Sequence, residues 1–146
     1  MSLIKDIENN IIEEFEMLDD WTQKYEYLID LSKELPSMQN DLKTDENIIK
    51  GCQSKVWLHA SNDKKKIIYT ADSDAIMTKG IIALLIRLFS NQEYTDILSS
   101  NLDFIERIGL KDQLSQTRAN GLLAMIKKMK IYALTYKHKY ENEQIN

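Results

Sequence analysis

The chain of 146 residues contains one cysteine, and the neighbours of that cysteine make it the first candidate for chemistry. Cys52 follows Gly51, precedes Gln53 and Ser54, and stands just before the alternating run Val56-Trp57-Leu58-His59-Ala60. Glycine takes backbone angles closed to other residues, so this pattern puts the thiol on a tight turn leading into a strand. A thiol on a polar turn can react, but with no second cysteine it cannot close an internal disulfide. The competing reading is a small buried hydrophobe, the usual state of a free cysteine. Small polar flanks pack poorly in a core, and on local sequence both readings stand.

Other chemistries find little support in the residues. His59 and His138 are the only histidines and lie far apart, which argues against a dedicated zinc site. No glycine-rich phosphate loop and no G-x-G-x-x-G run is present. A cysteine hydrolase wants a histidine beside its nucleophile, and only His59 is near Cys52 in sequence; it reads more simply as a strand-surface residue.

Length fits one domain with a real core. Net charge is −4, which predicts no extended nucleic-acid footprint. The charge is uneven: residues 1–50 carry 13 Asp/Glu against 5 Lys/Arg, and residues 51–146 carry 10 against 14. Solvated helix faces of opposite sign account for this, and an electrostatically marked docking surface is the sharper alternative. A single cysteine fits a reducing compartment. Acidic residues near the start, where a signal peptide needs an apolar core, and an apolar run no longer than Gly80–Ile86 lead us to expect a soluble, cytoplasmic protein without membrane contact.

The elements that must position the thiol follow from periodicity. Ile4, Ile7, Ile11, Phe15 and Leu18 form one helical stripe. Asp19 or Asp20 can cap a second helix with the stripe Trp21, Tyr25, Leu28, Ser32 and Leu35, which Pro36 stops, so the chain opens with a helical hairpin. Residues 37–47 read as a loop. Ile48-Ile49 can begin a short strand, and Lys55–Ala60 and Lys66–Ala71 form an antiparallel hairpin joined by Ser61-Asn62-Asp63-Lys64. Trp57 belongs to the core or to an apolar shelter over Cys52.

Ser73 and Asp74 suit the N-cap of a buried helix from about Ala75 to Phe89. Residues 91–110 read as short helical pieces, with Gly109 as a stop. Ser115 caps a last helix from Gln116 to about His138, with the stripe Leu122, Met125, Ile126, Met129, Tyr132, Ala133 and Tyr136 as core. Gly80 and Gly121, each inside a helix, suggest a close crossing of those two helices.

The run Gly51-Cys52-Gln53-Ser54-Lys55-Val56-Trp57-Leu58 resembles the signature of the SufE family, the sulfur-acceptor partners of cysteine desulfurases. Three other stretches agree in order and spacing. They are Trp21–Ile29 with Leu35-Pro36, Asp72-Ser73-Asp74-Ala75 leading to Lys79–Ala83, and Leu114–Met125 with its Thr117-Arg118 pair. The resemblance covers essentially the whole chain.

It implies one α+β domain over residues 1–146 of the SufE/IscU-like type: an N-terminal helical hairpin, a small antiparallel sheet and C-terminal helices, with a flexible tail from about 140 to 146. It implies a covalent sulfur carrier that is not an enzyme by itself. Cys52 would take persulfide sulfur from a SufS-type cysteine desulfurase, stimulate that enzyme, and pass the sulfur to an iron–sulfur scaffold complex.

Gly51, Gln53, Asp74 and Arg118 are the expected partner contacts; helix capping is the competing role for Asp74, and an ordinary surface position that for Arg118. No cofactor of its own is expected, since pyridoxal phosphate belongs to the desulfurase. Service to another desulfurase (a CsdE-like pathway), a cluster scaffold, an adaptor without sulfur transfer, and homodimer formation stay open. Lys50, Lys55, Arg118 or the helix start after Asp74 could raise the thiolate fraction.

Overall fold

The computed structural model describes residues 3–52 and 54–145. Helices α1 (Leu3–Glu16) and α2 (Trp21–Glu34) form the expected opening hairpin. Ile4, Ile11, Ile12 and Phe15 of α1 face inward, as do Leu28, Leu31 and Ser32 of α2. Asp20 is the cap: its Oδ1 accepts the Gln23 backbone N–H at 2.9 Å, while Gln23 Oε1 accepts the Asp19 N–H at 2.9 Å. The first bond satisfies a donor that the first helical turn leaves without a partner, and the second ties down the chain just ahead of the cap. The helix stops at Leu35, which is extended, as a residue before proline prefers.

The loop after Pro36 is more ordered than its composition suggests. It contains two single 3₁₀ turns, Asn40–Leu42 and Asp45–Asn47. The short strand expected at Ile48-Ile49 reduces to one antiparallel bridge, Ile48 to Trp57, with the Ile49 N–H donating to the Val56 carbonyl at 2.8 Å.

Strands β1 (Val56–Asp63) and β2 (Lys66–Ser73) pair antiparallel in the register Val56↔Ser73 to Asp63↔Lys66. Both run two or three residues beyond the expected ends. Ser61, Asn62 and Asp63 therefore lie in the strand, and the turn is only Lys64-Lys65, with Lys64 in a left-handed conformation at φ 57°. A third strand, β3 (Gln92–Glu93), adds to β2 in the order β1-β2-β3. Two residues give no alternation to detect, which is why the sequence suggests only helical pieces there.

Val56, Leu58 and Ala60 of β1 share the buried face with Ile67, Tyr69 and Ala71 of β2. Against that face pack α3 (Ile76–Phe89) and α7 (Gln116–Ile145). The Tyr69 hydroxyl donates to the Met129 carbonyl at 2.6 Å and the Tyr136 hydroxyl to the Ala60 carbonyl at 2.8 Å, tying α7 across the sheet. Between these helices the chain makes α4 (Tyr94–Ser99), α5 (Asp103–Arg107) and α6 (Leu110–Gln113), with Gly109 at φ 76° separating the last two.

Two expectations need correction. Helix α7 does not end near His138; it continues to Ile145, supported by Tyr140 packing on Tyr94 (ring centroids 6.4 Å apart) and a Lys137–Glu141 ion pair at 3.2 Å. And Gly80 and Gly121 do not face each other. A Cβ on Gly80 would strike the Leu28 carbonyl of α2, whereas one on Gly121 would meet Cys52. Each glycine does mark a close approach, but to a different neighbour, so the proposed crossing of α3 and α7 at these positions is wrong.

Candidate functional site: the Cys52 loop and its cleft

Lys50, Gly51, Cys52 and Ser54 lie outside any helix or strand, in a segment fastened on both sides. On the upstream side the fastening is the Ile49–Val56 hydrogen bond described above. On the downstream side Lys55 is held three ways: its N–H donates to Asp74 Oδ1 at 3.0 Å, and its carbonyl accepts the Ser73 hydroxyl at 2.9 Å and the Asp74 N–H at 3.2 Å. Asp74 is therefore not the cap of α3. Its carboxylate anchors the loop, while the Ser73 hydroxyl accepts the Ala75 N–H at 3.2 Å just ahead of the helix. Gly51 sits at φ 93°, in the region that favours glycine, and it turns the chain so that the next side chain points inward.

That side chain is Cys52. Its Sγ approaches the Gly121 carbonyl on α7 at 3.8 Å and is half-buried. It lies in a cleft between α3 and α7 with a volume of about 30 Å³, room for one water-sized group. Ile81, Ile82 and Leu85 line it from α3, Leu122 and Met125 from α7, and Val56 from the sheet. Thr78 and Thr117 bring hydroxyl-bearing side chains to the lining, and the exposed Arg118 lies at the rim.

Burial pushes the Cys52 thiol above its ordinary pKa, and among the described residues no cation offsets it. The help toward ionisation expected from Lys50, Lys55, Arg118 or the start of α3 is absent in this conformation. The thiol is mostly protonated and shielded at neutral pH, hence a poor nucleophile while it sits inward.

Behind the loop anchor lies a charged clasp. Asp72, 7 % exposed, accepts from Lys43 Nζ at 2.8 Å and pairs with Lys79 Nζ at 3.3 Å, and its Oδ1 also accepts the Ser73 N–H at 2.8 Å. Burial alone would raise the carboxyl, but the Lys43 and Ser73 hydrogen bonds and the Lys79 charge together hold it below the usual carboxylate range. The clasp joins the 3₁₀ segment, β2 and α3 at the residue next to the loop's downstream fastening.

Of the residues singled out in sequence, Cys52 and Arg118 line one cleft, Gly51 is in the same loop and Asp74 is at its base. Gln53 lies outside the described residues. Trp57 is neither core nor shelter: it is half-buried, does not line the cleft, and carries Lys43 Nζ at 5.7 Å from its ring centroid. His59 pairs with Thr70 across the sheet, apart from the cleft lining. The residues that periodicity could not point to are Thr78, Thr117 and the Gly121 seat. The signal for Gly121 was present, a glycine inside a helix, but its neighbour was not readable. Among the described residues no cluster of side chains suited to a metal ion is found, and no helix is long and apolar enough to cross a membrane.

The chain has clear relatives among known proteins. The family described as SufE, an Fe–S metabolism associated domain, matches residues 9–133. A SufE-like protein of Rhizobium meliloti is 39 % identical over 127 residues, covering 84 % of this chain and 91 % of that one. The chloroplastic/mitochondrial SufE-like protein 1 of Arabidopsis thaliana is 38 % identical over 134 residues, 91 % of this chain but 36 % of the longer plant protein. A solution structure of a protein from Thermus thermophilus shares the fold at a TM-score of 0.73 and 17 % identity, covering 88 % of this chain and 94 % of that one.

The chain belongs to the SufE family. That places it in Fe–S metabolism, the setting in which the family works alongside cysteine desulfurases.

Proposed function

We propose that the protein is a sulfur acceptor that carries a persulfide on Cys52. The donor is a SufS-type cysteine desulfurase holding sulfur as a persulfide on its own cysteine. The Cys52 thiolate attacks the terminal sulfur, the donor's S–S bond breaks, and the donor cysteine leaves as a thiolate, so one sulfur moves with no net redox change. Removal of the persulfide frees the desulfurase for another cycle, which is the simplest origin of stimulation. A scaffold complex for iron–sulfur assembly is the downstream acceptor.

The observation that carries this reading is the inward Sγ of the chain's single cysteine, on a loop fastened at both ends over an apolar cleft. A group that must survive between donor and acceptor needs such a shelter, and a group that must be delivered needs such a loop. Arg118 at the rim and the exposed Gly51 and Asp74 around the loop are the surfaces a docking partner would read, with Gln53 beside them in sequence. A cluster scaffold would want several thiolates, and this chain has one.

The test is intact mass after mixing the protein with a SufS-type desulfurase, pyridoxal phosphate and free cysteine. A gain of about one sulfur atom, reversed by reductant and absent in Cys52→Ser, is expected. Stimulation without a mass gain would replace the carrier with an adaptor, and neither effect would remove the assignment to this donor.

A further inference from the structure

Two glycines serve Cys52, and they do different things. Gly51 supplies a backbone angle: the Cβ it lacks would meet nothing within 4 Å. Gly121 supplies room. A Cβ there would lie 3.0 Å from Cys52 Sγ and 3.6 Å from both its Cα and its Cβ, so the cysteine lies flat against the bare backbone of α7. Gly121 is buried in the middle of the α7 face that lines the cleft, between Thr117-Arg118 and Leu122-Met125. Glycine inside an exposed-ended helix of this length is otherwise unfavourable, since it loses more conformational freedom on folding than any other residue. The close approach of the thiol gives it a reason to be there.

We infer that Gly121 is the seat that lets the Cys52 loop close, a positioning residue whose side-chain-free backbone sets how far inward the sulfur rests. A single methyl on α7 then biases the loop outward. A Cβ at 3.0 Å requires Sγ to give by a few tenths of an ångström, and Ile81, Ile82 and Leu85 of α3, which also line the cleft, are themselves packed in the core. The loop tip, by contrast, has backbone fastenings at residues 49 and 55 and, at Cys52, a long 3.8 Å Sγ contact to Gly121, so it is the part that yields. The inference deepens the sulfur-carrier reading by naming what sets its resting state, and the contact it rests on lies within the chain and needs no partner.

The experiment compares the full chain with its Gly121→Ala variant in two readouts that need no partner. Alkylation of Cys52 by iodoacetamide at pH 7 should accelerate roughly three- to tenfold, as expected when a half-buried thiol gains solvent. The thermal midpoint should stay or rise, because alanine is the better helix residue. An unchanged alkylation rate overturns the inference. If the variant instead melts earlier, the same substitution in a Cys52→Ala background separates the causes. A midpoint restored there supports the contact with Sγ, and shifts that simply add overturn it. Loss of sulfur loading from the desulfurase in both wild type and variant would refute the carrier reading while leaving the alkylation result intact.

Discussion

Replacing Asp72 with asparagine keeps the shape of the clasp and removes its charge. The carboxylate faces two ammonium groups at 2.8 and 3.3 Å, and its removal leaves Lys43 and Lys79 close together without a counter-charge. Breaking a fully buried pair costs about 3–5 kcal/mol, and a surface pair contributes about 0–1 kcal/mol. Here the acid is buried, but the lysine side chains are 29 % and 34 % exposed and can withdraw their heads into water. The expected loss is therefore intermediate, about 2–3 kcal/mol. For a chain of this size that lowers the thermal midpoint by roughly 5–10 °C.

The pH dependence has a definite sign. The native carboxyl titrates below its unfolded value of about 3.9, so its stabilisation is fully present above that value. It is lost as pH falls through the native pKa, because the unfolded chain binds a proton the folded one does not. Denaturant unfolding of wild type and Asp72→Asn should thus differ by a constant amount from pH 8 to about 5, and the gap should narrow below about pH 4. Alkylation of Cys52 should also quicken in the variant, since Ser73 and Asp74, the next two residues, hold the loop's downstream end. A midpoint shift under about 1 °C at pH 7, or a gap that fails to narrow in acid, would refute the account of the clasp.

Two further outcomes follow from the same geometry. Gly80→Ala should destabilise the protein by about 3 kcal/mol or more, because the methyl runs into the Leu28 backbone, which cannot move aside like a side chain; a midpoint within a degree or two of wild type would show that α2 and α3 separate easily. The alkylation rate of Cys52 against pH should rise with a midpoint above that of an unstructured cysteine peptide, since burial favours the neutral thiol, and should shift downward when the desulfurase binds if docking draws the loop out. A profile equal to the peptide's would place the thiol in solvent from the start.

The opening hairpin was readable because its signals are local: Asp20 and Gln23 are three residues apart, and Pro36 acts on the residue beside it. The β1–β2 hairpin was readable from alternation, though its ends were not, since Ser61, Asn62 and Asp63 look like turn residues until a strand partner is supplied. The Cys52 turn followed from Gly51 and its polar flanks. What escaped were relationships between residues far apart in the chain: Cys52 resting on Gly121, Asp72 held by Lys43 and Lys79, and Gly80 against Leu28. Helical periodicity says which face a glycine is on but not what crosses it. The capping role suggested for Asp74 fails for the same reason, because an aspartate before a helix looks like a cap whether its carboxylate turns to the helix or to Lys55.

The double fastening of the loop also limits distance. Ile49 and Lys55 are tied to the body, and Cys52 is three residues from each. Even a fully extended chain carries it only about 10 Å from those anchors. The protein therefore cannot lower its sulfur into a deep, narrow well on a long arm. Under the proposed sulfur transfer, a donor cysteine would have to come within that radius, so the surface around the loop would itself enter or meet the mouth of the donor's site. Shape complementarity over the face bearing Arg118, Gly51 and Asp74 would then become a condition for that proposed transfer. Lengthening the loop by a few residues would relax that condition, at the cost of a less defined place for the sulfur to rest.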